Sequence, residues 1–256
     1  MIKEKETVWI TGASSGIGRE TALLLAGNGY RLILSARRKK LLESLSKEIL
    51  RRTGTPVRVV PLDVTAREEV EKAVRDLPED WAQVDILINN AGLAAGLDYL
   101  QEGDINNWER MIDTNVKGLL YMTRNLLPGM IERGRGHVVN LGSTAGKEVY
   151  ERGNVYCATK HAVDALSRAM RIDLLAQGIK VTNIAPGLVE TEFSLVRFKG
   201  DAAKAKAPYR GMTPLSGRDV AETILFAITR PPHVCINDLV ITPTAQANSF
   251  YVKRNY

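Results

Sequence analysis

The sequence has little in it that staples, anchors or coordinates. Only two cysteines, Cys157 and Cys235, occur in 256 residues, which excludes a disulfide framework and a cysteine-based zinc site. Its histidines, His137, His161 and His233, stand apart with no His-x-x-x-His or carboxylate pattern around them. They read as ordinary surface or partly buried residues, and no structural or catalytic metal is expected. No uninterrupted apolar run approaches the roughly 20 residues of a membrane span. The opening MIKEKETVWITG is charged and lacks the apolar core and cleavage site of a secretory leader. A cytoplasmic protein with no membrane attachment is expected. The net charge of +6 comes from Lys and Arg interspersed with Asp and Glu, with no basic tail. With no recognisable nucleic-acid module, a small phosphorylated ligand suits that surplus better than nucleic acid does.

What the sequence does hold is a repeated alternation. A hydrophobic fraction of 45% and a charged fraction of 25% fit a soluble globular chain, long enough to bury a substantial core unaided. Short apolar runs, TVWI (7–10), RLILSA (31–36), VRVVPL (57–62), VDILIN (84–89), HVVNLG (137–142), KVTNIA (180–185) and NDLVIT (237–242), are separated by amphipathic stretches of helical length. Near-continuous apolar strands joined by helices indicate a parallel sheet covered on both faces. The expected fold is α/β: one Rossmann-type domain over residues 1–256, with a doubly wound seven-stranded sheet. The segment 187–217 breaks the rhythm before the next clear helix. Lying beyond the carboxyl end of strand six, it is expected to be a substrate lid.

The first strand runs into TGASSGIG, whose glycines Gly12, Gly16 and Gly18 are spaced G-x-x-x-G-x-G. Bare backbone there lets a pyrophosphate approach, and the following helix start offers free N–H groups. Ser14 and Ser15 add hydroxyl donors. After the second strand, where an acidic residue would bind both ribose hydroxyls, the chain has Arg37 and Arg38. Guanidinium forks match a phosphate, so NADP(H) is expected over NAD(H). Asp63 and Val64 follow strand three, in reach of an adenine edge. In NVYCATK, Tyr156 and Lys160 are four residues apart, which on a helix places them on one face about 6 Å apart along the axis.

Taken together, TGASSGIG, NNAG (89–92), Tyr156-x-x-x-Lys160 and PGLVET (186–191) resemble the motifs of the short-chain dehydrogenase/reductase family. Asn115 and Ser143 complete its Asn-Ser-Tyr-Lys set. Longer stretches such as DILINNAGLAAG, MIDTNVKGLLYMTRNLLPGM and TEFSLVRFKGD are similar to its NADP-dependent 3-hydroxy acid dehydrogenase branch, also described as L-allo-threonine or serine dehydrogenase. The resemblance implies an enzyme oxidising small 3-hydroxy acids, or reducing the matching aldehydes, as a homotetramer. It implies that Tyr156 is the general acid/base, with Lys160 and the nicotinamide charge lowering its pKa, and that Ser143 and Tyr156 hold the substrate oxygen. Asn115 would hold a water in a proton relay. The cofactor would lie against Gly12, Ser14, Ser15, Gly16, Ile17, Gly18, Arg37, Arg38, Asp63, Val64, Asn90, Ala91, Gly92, Tyr156, Lys160, Pro186, Gly187, Val189 and Thr191.

Two points stay open. A substrate carboxylate needs a cationic or donor-rich contact, for which Arg197, Lys199, Gly153 and Asn154 are candidates; Cys157 reads as packing. The aromatic tail FYVKRNY is either an intersubunit patch or a frayed end. The rival readings are a reductase of another carbonyl class, such as 3-oxoacyl thioesters, and a non-catalytic sensor of NADP(H).

Overall fold

A computed structural model describes residues 6–255; the charged opening MIKEK, read above as no leader, and Tyr256 lie outside them. Strands β1 (Thr7–Thr11), β2 (Arg31–Ala36), β3 (Val57–Pro61), β4 (Ile86–Asn89), β5 (Gly136–Leu141), β6 (Ile179–Pro186) and β7 (Asp238–Ile241) build one seven-stranded sheet. Its order is β3-β2-β1-β4-β5-β6-β7 with every pairing parallel. The strand order reverses between β1 and β4, which opens a crevice at the carboxyl ends of the strands.

The apolar runs alternate between two cores because successive strand side chains point to opposite faces. Val8 and Ile10 of β1, Leu32 and Leu34 of β2, and Ile86 and Ile88 of β4 pack on one face with helices α1 (Gly16–Gly27), α2 (Lys39–Thr53) and α10 (Gly217–Ile228). Trp9, Ile33, Leu87 and Val138 pack on the other. That second face is covered by α3 (Arg67–Arg75), α6 (Leu119–Glu132) and α7 (Asn154–Asp173). A short α4 (Glu79–Ala82) and α5 (Ile105–Ile112) complete this part of the chain. Trp9 is fully buried, and its indole N–H donates to Ser35 Oγ at 2.9 Å, so the ring fills the core without an orphaned donor.

Two expectations are corrected here. The amphipathic stretch 106–132 is not one regular helix: a π-helical segment, Asp113–Gly118, joins α5 to α6 and contains Asn115. His137 is neither on the surface nor partly exposed. It lies on β5, which is flanked by strands and covered on both faces, and only 3% of it is accessible. Its Nε2 meets Thr182 Oγ1 at 2.8 Å. Burial, helped by Lys180, drops its pKa from 6.5 to about 3. The folded state therefore refuses a proton that the unfolded chain accepts, and stability falls as pH drops from 6.5 towards 3. Replacing His137 by Gln should shrink the loss of unfolding free energy between pH 7 and pH 5 by about 2 kcal/mol. Urea midpoints at the two pH values measure this; an unchanged loss contradicts it.

The segment expected as a lid is not structureless. It contains α8 (Glu192–Arg197), started by Thr191 accepting from Phe193 N, and α9 (Ala202–Lys206), capped by Asp201. The described part of the tail is folded, not frayed. Lys253 N donates to Ala245 O and Asn255 N to Gly211 O, each at 2.8 Å. Arg254 donates to Arg210 O and Pro208 O, which ties the tail to the lid.

Candidate active site

The carboxyl ends of β1, β4, β5 and β6 open into one cavity of about 660 Å³, roofed by α8 and flanked by tail residues Gln246 and Arg254. Of the residues expected at a cofactor, Gly12, Ser14, Ser15, Gly16, Ile17, Arg37, Arg38, Asp63, Val64, Asn90, Ala91, Gly92, Tyr156, Lys160, Pro186, Gly187, Val189 and Thr191 line it, as does Ser143. Gly18 and Asn115 stand behind its wall. A Cβ on Gly18 would come within 2.5 Å of Asn90 Nδ2, so this glycine permits close packing of α1 on the loop after β4.

Local structure explains the glycine loop. Gly12 and Gly16 have φ of +65° and +55°, a region that L side chains rarely adopt. Asn90 braces the loop: its Nδ2 donates to Thr11 O at 2.8 Å and Gly12 O at 3.2 Å. Ser15 precedes α1 but makes no side-chain cap, and the first turn holds no acidic residue. The leading N–H groups of α1 thus have no side-chain acceptor, as an anion site at a helix start requires.

Arg38 spans the mouth of this loop. Its guanidinium donates to Ser14 Oγ at 3.1 Å, to Ser15 Oγ at 2.6 Å and to Glu192 Oε2 of α8 at 3.0 Å. Arg37 is more exposed and lies 3.9 Å from Asp63 Oδ2. These two guanidinium groups, the uncapped helix and the bare glycines fit a phosphorylated dinucleotide ending in a further phosphate beside Arg38.

At the other end of the cavity α7 presents Tyr156 and Lys160. Lys160 is buried, and its Nζ donates to Leu141 O at 2.8 Å, 6.0 Å from the Tyr156 ring centre. No carboxylate among the described residues compensates it, so burial lowers its pKa to about 8. A Cβ at Gly92 would crowd Asn115 Oδ1 at 3.3 Å, so the bare residue suits the packing beside Lys160. The Tyr156 ring packs at 5.8 Å, tilted by 60°, against Phe193 of α8.

The Tyr156 phenol feels opposing influences. Burial, and then Tyr150, push it above its ordinary value, against the pull of Ser143 and Arg197. Lys160 Nζ stands beside this ring, held by Leu141 O. Burial therefore works against the phenolate, and a positive charge bound beside it would favour that form.

Asn115 is fully used within the protein. Its Oδ1 accepts from Leu93 N at 2.8 Å, and its Nδ2 donates to Leu93 O at 2.8 Å and Thr159 Oγ1 at 3.0 Å. It ties the loop after β4 to α7, one turn from Lys160. Ser143 Oγ accepts from Ala145 N at 3.1 Å, starting a turn of 3-10 helix, and faces the cavity.

Among the candidates for a substrate's acid end, Arg197 lines the cavity; Lys199 is exposed past the end of α8, with φ of +52°. Gly153 and Asn154 face a separate small cleft. The sequence reading missed Tyr150, Phe193, Tyr209, Gln246 and Arg254, all on the cavity wall. Tyr150 and Phe193 stand near recognised motifs, but the tail residues had no motif to mark them.

Residues 6–201 match the family model for short chain dehydrogenase. The chain belongs to that family. Among its relatives is the NADP-dependent 3-hydroxy acid dehydrogenase YdfG of Salmonella typhi, 45% identical over 241 residues, covering 94% of this chain and 96% of that protein. A sulfoacetaldehyde reductase from Chromohalobacter salexigens is likewise 45% identical, over 247 residues that cover 96% of this chain and 97% of that one. A serine dehydrogenase solved in its closed form with NADP+ superposes with a TM-score of 0.92 at 42% identity, covering 98% of this chain and all of the other. As a short-chain dehydrogenase, the chain is an oxidoreductase acting on hydroxyl groups. Among its described residues no helix is long and apolar enough to cross a membrane, and no His/Cys/Asp/Glu cluster could hold a metal ion.

Proposed function

We propose that this chain is an NADP(H)-dependent oxidoreductase that interconverts small 3-hydroxy acids, of the L-allo-threonine, L-serine and 3-hydroxypropionate type, with the matching aldehydes or ketones. One observation carries the reading. A single cavity holds the glycine loop with Arg38 at one end and Ser143, Tyr156 and Lys160 at the other. The relatives named above, which share nearly the whole chain, support the substrate class and the cofactor.

When bound, NADP(H) supplies the two-electron redox partner and, in its oxidised form, a positive charge. The chain's residues supply positioning and proton movement. The α1 N-terminus and the glycine loop take the pyrophosphate, Arg38 and Arg37 the ribose phosphate, and Asp63 and Val64 the adenine edge. Lys160, a cation below about pH 8, holds the ribose next to the reacting ring. Ser143 orients the substrate oxygen. Tyr156 gives its phenolic proton to that oxygen as a carbonyl is reduced and takes it back as an alcohol is oxidised. Asn115 keeps the Leu93 loop and α7 in register, one turn from Lys160.

The proposal includes a cytoplasmic homotetramer. Ile105 and Ile112 on α5 and Leu120 on α6 are 63%, 40% and 37% exposed, apolar surface that a partner subunit would cover. Sedimentation should return four copies of the chain.

The test is steady-state turnover with NADP+ of the three hydroxy acids against a 3-oxoacyl thioester with NADPH. Turnover of the acids supports the reading; turnover of the thioester alone moves the chain to another carbonyl class. Arg38→Ala should reduce the preference for NADP+ over NAD+ by about 10- to 100-fold. An unchanged cofactor ratio removes Arg38 from the phosphate site.

A further inference from the structure

A cluster of charges outside the cavity holds the turn that carries Ser143. Lys147 follows this turn of 3-10 helix, Thr144–Gly146, and stands outside the cavity wall. Its Nζ donates to Asp164 Oδ1 of α7 at 2.6 Å and to Asp238 Oδ2 of β7 at 2.5 Å. Asn183 on β6 joins the same two acids: its Nδ2 donates to Asp238 Oδ1 at 2.8 Å and to Asp164 Oδ1 at 3.2 Å. Arg168, one turn further along α7, lies 2.8 Å from Asp164 Oδ2. Asp164 is buried, and a buried carboxylate needs such partners. Desolvation takes back much of what ion pairs of this kind gain by attraction, whereas their geometry is closely defined.

The place of Asp164 on α7 gives that geometry a use. Tyr156, Lys160 and Asp164 recur every four residues along the helix, so one face carries the phenol, its neighbouring cation and the anchor for Lys147. The serine turn leans on the same face: a Cβ on Gly146 would come within 2.5 Å of Lys160 O. At the start of the turn, Gly142 N donates to Ile184 O at 2.7 Å, which ties it to β6. At its end, Lys147 reaches across to α7 and β7. We propose that Lys147 is a positioning residue, which through Asp164 and Asp238 holds the Ser143 hydroxyl in the register with Tyr156 where both meet one substrate oxygen. Lys147 touches neither substrate nor cofactor and acts through the serine. The proposal rests on reading Ser143 as the residue that orients the substrate oxygen. A misplacement of about 1 Å at such a centre can cost on the order of a hundredfold in rate.

The test is a double-mutant cycle of Lys147→Met and Ser143→Ala. It reads kcat and KM on whichever of the three hydroxy acids and the thioester the wild type turns over fastest, with NADPH affinity from a fluorescence titration. Lys147→Met should lower kcat by about tenfold or more and leave NADPH affinity within about twofold. Lys147→Arg, which keeps a cation in reach of both acids, should recover most of that loss. In the Ser143→Ala background, adding Lys147→Met should change kcat by less than about twofold, because the two residues act as a unit. The same factor lost in both backgrounds overturns the proposal, since Lys147 then acts elsewhere than through the serine. So does an unchanged kcat in Lys147→Met, or a loss that NADPH affinity shares, which marks a role in stability alone. Turnover that survives Ser143→Ala removes the serine from the site, and the proposal with it, but leaves the oxidoreductase reading intact. A wild type that turns over none of the four compounds sinks that reading and this proposal together.

Discussion

Tyr156→Phe should lower turnover of 3-hydroxy acids by about a thousandfold and leave NADPH affinity within about twofold. The substitution removes one oxygen and keeps the ring that packs at 5.8 Å on Phe193 and faces Arg197. The cavity wall therefore stays in place while the acid/base is lost. Burial favours the protonated phenol, the form that donates in the reducing direction. Steady-state rates, together with a fluorescence titration of NADPH, separate chemistry from binding. Parallel loss of both points to a damaged cavity, and retained turnover removes Tyr156 from proton transfer.

Lys160→Met should have two effects of opposite sign. Turnover should fall by about a hundredfold or more, because the cation beside the phenol and ribose is gone. The protein without cofactor should nevertheless become more stable at pH 7, by about 1–3 kcal/mol. Burial takes the Lys160 pKa from 10.5 to about 8, so the folded state bears an uncompensated cation below that pH. The unfolded chain holds its proton up to about 10.5. Wild-type stability is therefore penalised in full below about pH 8 and recovers as pH rises towards 10.5. The loss of the 2.8 Å bond to Leu141 O subtracts from the gain. Urea midpoints of both proteins at pH 7 and pH 9.5 should show the mutant's advantage shrinking with pH. A mutant less stable at pH 7 contradicts the cost assigned to this ammonium, whose retention is a stability sacrifice made for activity.

Much of this was legible in the sequence because it depends on local pattern. The apolar runs gave all seven strands, since a strand covered on both faces must be apolar at nearly every position. The glycine loop was legible because φ near +60° at Gly12 and Gly16 leaves few residue choices. Arg38 was legible as a charge standing where an acid would discriminate against phosphate. What escaped notice depends on long-range geometry. The π-helical turn at Asn115 has no periodic signature distinct from the helices on either side. His137 looks like any polar residue at a strand start until its neighbours Asp85 and Thr182 and the covering helices bury it. Arg197 and Lys199 were indistinguishable as letters in VRFK; the end of α8 turns one into the cavity and leaves the other in water. The tail had no motif to place it near the site, yet Arg254 closes it onto the lid.

In the proposed reaction, hydrogen moves between carbon 3 of a small hydroxy acid and NADP in this cavity, with Tyr156 handling the proton. The most direct measurement uses 3-hydroxypropionate deuterated at carbon 3, with NADP+, and mass spectrometry of the cofactor afterwards. One deuterium should appear in the reduced cofactor formed by the wild type, and Tyr156→Phe should abolish it. Reduced cofactor without the label, or no reduced cofactor from any hydroxy acid despite tight NADPH binding, would contradict it and favour a sensor of the cofactor's redox state.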